Sequence, residues 1–528
     1  MKYSFHKDIH IASIESDSDW HNLCVNTLLQ NPEKKQPSIN AFLGARYSRS
    51  SDSIVDIAKE IYESGKDASK KLETIFYNYG HKSVGDMAQL FLCLENIPMI
   101  VAQRFFYLNP VHSGQERSTR YQDFSKPNFL KIPSNIETSA KLRNDYEKIF
   151  HKALTNYSEL KNQTEIKFSK VFKENTIELS MRSALKARVF DTIRYFIPIG
   201  LLTSIGVVMS ARAWAERISL YRASKFGIER ELGELIYNLL NGTKELEEMG
   251  YIPEADTLIR HTEKDNSRNQ SVMEILEILR KNLKITKSRQ NNSIQFKITT
   301  EVNAVNEMLT NYILLLNPYL EMNFSKKYSN TLIKKISKIL SQYHDHYHQI
   351  GNVAQSGSIL IEGITNYGVL KDLLRHRSFE KFIPLLEENV DIETELNREN
   401  PYTLCEYLSQ KEMKGLKLLF ELRMNEHYKS INDWYRQAKK ELPIEIANEY
   451  IKYLLPHGHI TKYKFYASID DLAYTIGLRT RNGGHIAYRK LTYDWLLQLS
   501  KQEPFWNRLK FKLPPVQVDS IQQFWDRS

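Results

Sequence analysis

A polar run at residues 115–121 contains the residue types that bind a nucleotide. It reads Gln115-Glu116-Arg117-Ser118-Thr119-Arg120-Tyr121. Side chains alternate along an extended segment, so Glu116, Ser118 and Arg120 are predicted to share one face. That face offers an acceptor, a hydroxyl and a guanidinium that binds phosphate bidentately, which suits a nucleoside monophosphate. The alternative is a solvent-exposed strand with a surface salt bridge.

Three further groups of residues have side chains suited to ligand binding. Arg375-His376-Arg377 ends the helical run NYGVLKDLL, and two cations beside an imidazole suit a diphosphate or an electron-rich ring. Compensation of the helix dipole explains the same triplet. Arg222 and Arg479 each follow an apolar run, so at least one is predicted to face a ligand.

The segment Gly80-His81-Lys82-Ser83, with Asp86, precedes the first strand-like stretch. His81 or Ser83 is placed to meet a cofactor, although a capping serine in a helix–strand turn is an equal alternative. The cluster at 344–348, HDHYH, has no further ligand at a convincing spacing, so no metal is predicted. The sequence has no P-loop and no GxGxxG after a strand.

Two pairs of sequence blocks recur in the same order, which indicates a duplication. Residues 84–89 read VGDMAQ and residues 350–355 read IGNVAQ. The second pair comprises residues 196–222 and 454–479. In each, a proline is followed five residues later by a threonine, and an arginine, Arg222 or Arg479, comes nineteen or eighteen residues after that.

Helix-periodic segments with few strand-like pieces indicate an α+β fold with helix in the majority. A polar stretch predicts a linker at 261–293, between a first domain at 1–260 and a second at 294–528. We expect each domain to be a small, mostly antiparallel sheet with several helices.

Composition narrows the class of protein further. The formal charge of +10 suits anionic ligands but selects none of them. The three cysteines are far apart, and the most apolar stretch, 197–209, is too short to span a bilayer. These features predict a cytoplasmic protein without a membrane partner.

Taken in order, the motifs resemble the signature of flavin-dependent thymidylate synthases, in a long form with two copies of the domain. That signature runs G-H-x-[ST], an apolar strand, a helix ending in R-H-R, E-x-S-x-R-Y, and then L-P-x4-T with an arginine eighteen residues later. The resemblance implies reductive methylation of dUMP to dTMP, with FAD as cofactor and with NADPH and 5,10-methylenetetrahydrofolate as co-substrates.

The resemblance also implies roles for individual residues. Residues Gln115 to Tyr121, together with Arg375, would bind dUMP, and Arg479 and Arg222 are the candidate catalytic residues. Arg479 would contact the uracil ring and favour its N3-ionised form. The residues expected to hold FAD are His81, Ser83, Arg212, Arg375, His376 and Arg377.

Each half departs from the signature where the other half retains it. Counted back from Tyr121, the R-H-R position of the first half is Leu108-Asn109-Pro110, and no E-x-S-x-R-Y follows Arg377. In the family, R-H-R and S-x-R-Y come from neighbouring subunits. We therefore expect one composite site between the two halves, and a homodimer that mimics a tetramer.

Two alternatives stay open. One is flavin-dependent methylation of another pyrimidine nucleotide or of a base in RNA. The other is a non-catalytic protein that binds nucleotides or nucleic acid, although nucleic acid is not the expected partner.

Overall fold

The computed structural model shows two antiparallel sheets surrounded by helices. It describes residues 1–18, 21–31, 35–64, 72, 82–108, 113–119, 124, 129–172, 179–282, 296–299, 304–316, 328–355 and 357–526. Helices predominate among them, which confirms the predicted α+β class with helix in the majority. None of the described helices combines the length and the apolar character that a membrane span requires.

The first sheet is built from the first half of the chain. Its strands are β1 (Lys2–His6), β2 (Ile11–Glu15), β3 (Cys24–Leu28), β4 (Gln89–Pro98), β5 (Ser113–Glu116) and β6 (Leu202–Ser210). They lie in the order β1-β2-β3-β4-β6-β5, and all neighbours are antiparallel. Buried and more exposed residues alternate along most of β6, as expected when one face of a sheet covers a core.

The second sheet repeats the topology of four strands of the first. Its strands are β7 (Phe296–Thr299), β8 (Ile359–Asn366), β9 (Glu380–Phe382) and β10 (Ile460–Ala467). Their order, β7-β8-β10-β9, corresponds to β3-β4-β6-β5, and the pairs are again antiparallel. Strands β1 and β2 therefore extend the first sheet beyond the shared pattern.

The helices follow the same scheme in both halves. Those of the first half are α1 (Gln36–Tyr47), α2 (Ile54–Ser64), α3 (Met99–Tyr107), α4 (Ala140–Val171), α5 (Leu179–Ile193), α6 (Ala211–Ala223), α7 (Gly227–Asn241) and α8 (Lys244–Glu248). The rest are α9 (Ser267–Asn282), α10 (Ala304–Leu316), α11 (Asn330–Tyr343), α12 (Tyr367–Leu373), α13 (Ile392–Leu396), α14 (Lys414–Glu441), α15 (Ile444–Leu454), α16 (Ile469–Arg479), α17 (Ile486–Gln502), α18 (Asn507–Lys510) and α19 (Ile521–Trp525). Helix α3 follows β4 as α12 follows β8, and α6 follows β6 as α16 follows β10.

The stretch predicted as a linker contains structure of its own. Helix α9 lies within 261–293, and residues 283–293 lie outside the described part of the chain. The predicted domain boundaries, at residues 260 and 294, stay predictions.

The two halves join through a symmetric set of backbone hydrogen bonds, which we call the seam. The bonds run from Ile199 N to Leu455 O (2.8 Å), from His457 N to Ile197 O (2.9 Å), from Gly200 N to Tyr453 O (2.8 Å) and from Gly458 N to Tyr195 O (3.0 Å). Exchanging each residue for the one 258 positions away converts the first bond into the second and the third into the fourth. Between them, Pro198 pairs with Pro456 in an antiparallel bridge. The seam is therefore a local two-fold contact within one chain.

Replacing Gly200 by alanine is expected to destabilise the protein at this seam. The added Cβ would lie 2.5 Å from Tyr453 Cβ and 2.6 Å from the Tyr453 carbonyl oxygen, so backbone must move. Overpacking of this kind costs about 1–3 kcal/mol, which denaturant unfolding would measure. Gly415→Ala is the matched control, because nothing lies within 4 Å of its added Cβ. Equal free energies of unfolding for the two variants would contradict the close packing of Gly200 against Tyr453 at the seam.

Candidate functional site

Strand β5 of the first half and the C-terminal end of helix α12 of the second half lie against each other. Arg377, which follows α12, donates from Nη1 to Ser113 Oγ (3.1 Å) and from Nη2 to the Gly114 carbonyl (3.3 Å). Lys371 of α12 forms an ion pair with Glu116 of β5. The structure thus brings the R-H-R triplet of one half to the polar run of the other, within one chain.

The ion pair between Lys371 and Glu116 is almost completely buried. The Lys371 and Glu116 side chains are 1% and 2% exposed, and Gln103 of α3 donates to the second carboxylate oxygen. Burial lowers the pKa of the Lys371 ammonium, and the Glu116 carboxylate opposes that shift. Removing one partner of such a pair leaves an uncompensated buried charge, at a cost of about 3–5 kcal/mol. The Glu116 carboxylate therefore links the two halves, and both of its oxygens already have protein partners.

The rest of the polar run only partly follows the predicted alternation. Gln115 and Arg117 are exposed and Glu116 is buried, as the alternation requires. The Arg117 N–H still donates to the Ser204 carbonyl (3.0 Å), one residue beyond the end of β5. Ser118 is half-buried and Thr119 is buried in a turn, where the alternation ends. Arg120 and Tyr121 lie outside the described residues.

The R-H-R triplet exposes its two cations and buries its imidazole. Arg375 and Arg377 are exposed, whereas His376 is 6% exposed. His376 Nδ1 lies 2.9 Å from Thr475 Oγ1, and Nε2 accepts a hydrogen bond from Arg479 Nε (2.7 Å). Burial, with the Arg479 and Lys381 cations nearby, holds the pKa of His376 well below its usual range. The imidazole is therefore neutral at physiological pH.

Arg479 lies half-buried beside this triplet, at the end of α16. Its Nη2 donates to the Asp372 carbonyl (2.7 Å), and its guanidinium lies 5.2 Å from the centre of the Tyr488 ring. Burial lowers the pKa of nearby Lys381 to about 8, and the Arg377 cation adds to that shift. Cations gathered around the end of α12 make this region attractive to an anion.

The other candidate catalytic arginine, Arg222, is engaged elsewhere. Its Nε and Nη2 each donate to a carboxylate oxygen of Glu234 (2.8 Å), and its Nη1 donates to the Thr262 carbonyl (2.8 Å). The two halves also differ in register at this point. Helices α6 and α16 begin at equivalent serine caps, Ser210 and Ser468, 258 positions apart. Arg479 therefore corresponds to Tyr221, and Arg222 lies one position further along its helix.

The residues expected to hold FAD occupy two places. Ser83 is exposed on a short 3-10 turn, Lys82–Met87. Arg212 lies near that turn and pairs with Asp86 (3.2 Å) and Glu216 (3.2 Å). No hydrogen bond between described residues joins this corner to the R-H-R triplet. His81 lies outside the described residues.

Helix register corrects the predicted R-H-R counterpart in the first half. The Met99 N–H donates to the Leu201 carbonyl at the start of α3, as Tyr367 N–H donates to the His459 carbonyl at the start of α12. The helices therefore align with Tyr107 at the Arg375 position and Leu108 at the His376 position. Counting back from Tyr121 gave Leu108-Asn109-Pro110, which is one residue too late. From the start of the helix to the equivalent position on the following strand, β5 or β9, the first half is one residue longer than the second, so the count shifts by one.

The side of the molecule related to this site by the pseudo-two-fold axis has a different charge pattern. Arg104 of α3 pairs there with Glu229 (2.6 Å) and Glu388 (3.0 Å), and the Tyr107 hydroxyl donates to Glu387. By strand register, Ile383 takes the place of Glu116. Arg104 and the three glutamates border a cavity of about 460 Å³. The uncompensated cations are therefore found at the α12 end, whereas the Arg104 side is lined with carboxylates.

No metal-binding arrangement is found in the part of the chain that the structure describes, where no three His, Cys, Asp or Glu side chains converge. The residues at 344–348 form local hydrogen bonds instead. His344 Nδ1 lies 3.1 Å from the Gln349 carbonyl, and His348 Nδ1 lies 3.0 Å from Asp345.

Sequence reasoning missed Lys371, Gln103 and Thr475. A signal was available for Lys371, since it is the one lysine in an apolar helical run, and buried lysines require a partner. Nothing local marks Gln103 or Thr475, because their partners come from distant parts of the chain.

Comparisons with known proteins identify similar sequences. Residues 27–245 match the family model described as thymidylate synthase complementing protein. A UPF0159 protein of Chlamydia pneumoniae is 21% identical over 85% of this chain and 82% of its own length. Those of Chlamydia muridarum and Thermoplasma acidophilum are 21% and 22% identical over 82% and 63% of this chain, and over 79% and 71% of their own lengths. Residues 27–245 of the chain are therefore similar to the thymidylate synthase complementing protein family.

Proposed function

We propose that the protein is an FAD-dependent thymidylate synthase with one composite site between its halves. It would convert dUMP to dTMP with 5,10-methylenetetrahydrofolate as carbon donor and NADPH as reductant. The contact between β5 and the end of α12 supports this most directly, because it joins the two motifs that the halves retain separately. The similarity of residues 27–245 to the thymidylate synthase complementing protein family supports the reaction class.

The phosphate of dUMP would bind at the exposed cations of this contact. Arg375 makes no hydrogen bond with a described residue, although its side chain is exposed beside Arg377 and the buried Lys371. A guanidinium without a carboxylate partner can bind phosphate bidentately without first breaking an ion pair. Ser118, which follows β5, and Arg120, whose role rests on the family resemblance, would complete the phosphate site.

Arg479 would act on the uracil ring. Two of its nitrogens are held by His376 and by the Asp372 carbonyl, which fixes the guanidinium before substrate arrives. A cation fixed in advance stabilises negative charge as it develops, without a reorganisation cost. Arg479 would therefore favour the N3-ionised uracil, whose C5 is the nucleophile. Arg222 is a weaker candidate, because Glu234 already neutralises its charge.

The exposed donors fit FAD better than the buried ones. Ser83 and Arg377 are exposed, and the Arg212 side chain is 43% exposed, so each can reach a cofactor phosphate or ring. His376 fits less well, because both of its ring nitrogens have protein partners. When bound, FAD would supply the redox chemistry of the reaction. A homodimer of the fused chain would supply further cofactor contacts, as the family resemblance implies.

The purified protein is expected to bind FAD and to release tritium from C5-labelled dUMP. Flavin absorbance bands that bleach with NADPH would identify the cofactor and the reductant. Tritium release that requires methylenetetrahydrofolate would identify the reaction. A flavoprotein that leaves dUMP unchanged would indicate another pyrimidine substrate, and a protein that cannot bind added FAD would contradict the proposal.

Arg120→Ala and Arg377→Ala are each expected to reduce turnover about 10- to 100-fold, because each removes a hydrogen bond to a charged group. Mixing the two variants should restore little activity, since Arg377 contacts β5 of its own chain. Arg436→Ala is the matched control, because Arg436 is exposed and pairs with Asp433 on the same helix. Substantial recovery on mixing would place the site between chains.

A further inference from the structure

We propose that Thr475 is a positioning residue that orients Arg479 through the His376 ring. This inference rests on the proposed function for the identity of the ligand. It changes the expected role of His376, which becomes part of the support for Arg479 rather than a direct contact for FAD. The three residues form a short relay, Thr475–His376–Arg479, on one side of the candidate site.

The hydrogen bonds fix the tautomer of His376. Arginine is always a donor in proteins, so His376 Nε2 must accept the hydrogen bond from Arg479 Nε and carries no proton. The neutral ring then has its proton on Nδ1 and donates it to Thr475 Oγ1, 2.9 Å away. Arg479 therefore requires the tautomer whose lone pair faces it, and the threonine hydroxyl stabilises that tautomer by accepting the Nδ1 proton.

The relay leaves one part of the Arg479 guanidinium available to a ligand. Nε is held by His376 and Nη2 by the Asp372 carbonyl, both at 2.7 Å. Nη1 has no hydrogen bond to any residue among those described, and the side chain is only half-buried. A fork anchored by two of its three nitrogens presents the third in a fixed direction, which is what an anionic atom on a substrate requires.

The position of Thr475 suits this role. Thr475 is 1% exposed and lies four residues before Arg479, so both side chains lie on one face of α16. The alternative tautomer, with hydrogen on Nε2, would set two donors against each other at 2.7 Å. Losing the hydroxyl would therefore release the imidazole and, with it, the Arg479 side chain.

The first half of the chain uses the same helix position differently. The counterpart of Thr475, 258 positions earlier, is Arg217, which donates to the Phe105 carbonyl (3.0 Å) and the Leu108 carbonyl (2.8 Å). Leu108 stands where His376 stands in the second half. Among the described residues, the relay therefore occurs in the second half, which is also where the uncompensated cations lie.

The tautomer can be tested directly by NMR on protein with 13C,15N-labelled histidine. The ring 13Cδ2 and 15N shifts of His376, assigned with a His376→Gln sample, should report the Nδ1–H form in the wild type. In Thr475→Val, these shifts should move toward the Nε2–H form, whereas Thr475→Ser should keep the wild-type shifts. An Nε2–H ring in the wild type would overturn the inference, whether or not the protein binds a nucleotide.

The consequence for ligand binding is measured by titration with dUMP. Thr475→Val should weaken the binding of dUMP about tenfold or more, since a hydrogen bond to a charged group loses its orientation, and Thr475→Ser should bind as the wild type does. Thr492→Val is the matched control, because Thr492 is a buried threonine whose hydroxyl bonds within its own helix. Melting temperatures of the valine variants establish that each is folded.

The two proposals fail in different ways. Wild-type protein that binds no dUMP would contradict the proposed function, while the His376 shifts still decide the relay. Wild-type affinity in folded Thr475→Val, with dUMP bound normally by the parent protein, would overturn the positioning role and leave the proposed function intact.

Discussion

The seam between Pro198 and Pro456 is the contact on which the remaining structure depends. Backbone N–H and carbonyl groups in a buried contact need partners, and here each half supplies the partners of the other. The segments that form the seam lead directly into β6 and β10, which are inner strands of the two sheets. The first residues of helices α3 and α12 also donate backbone hydrogen bonds to these segments. Once the seam forms, the positions of these helices are largely determined.

The symmetry of the backbone contrasts with the asymmetry of the side chains. At the α12 end, Lys371 pairs with the buried Glu116 carboxylate, and the two arginines of the R-H-R triplet are exposed nearby. At the α3 end, two glutamates, Glu229 and Glu388, neutralise the buried Arg104. An anion is therefore attracted mainly to the α12 side of the pseudo-two-fold axis. This charge distribution is consistent with the proposal of one anion site per chain.

Much of the fold was predictable from the sequence, but the site was predictable only in part. Periodicity gave the α+β class, and the R-H-R triplet does follow a helix, because that run is strongly apolar. Contacts between distant residues were not predictable in the same way. Glu116 has an acidic side chain on a strand, which suggests a free acceptor, yet its partner Lys371 is 255 residues away. The other difference, the placement of Arg222, comes from the register of its helix. The spacing of nineteen rather than eighteen before Arg222 was a sign that this arginine is out of phase, and equivalent helix caps explain it.

Covalent linkage of the halves has a consequence for the behaviour of the site in dilute solution. When separate subunits build a site, it comes apart as their concentration falls below the dissociation constant of the interface. Here the β5–α12 contact closes within one polypeptide, so the second half meets the first at a fixed effective concentration set by the connecting chain. This contact should therefore stay assembled at any dilution, and dUMP binding curves measured at nanomolar and micromolar protein should coincide.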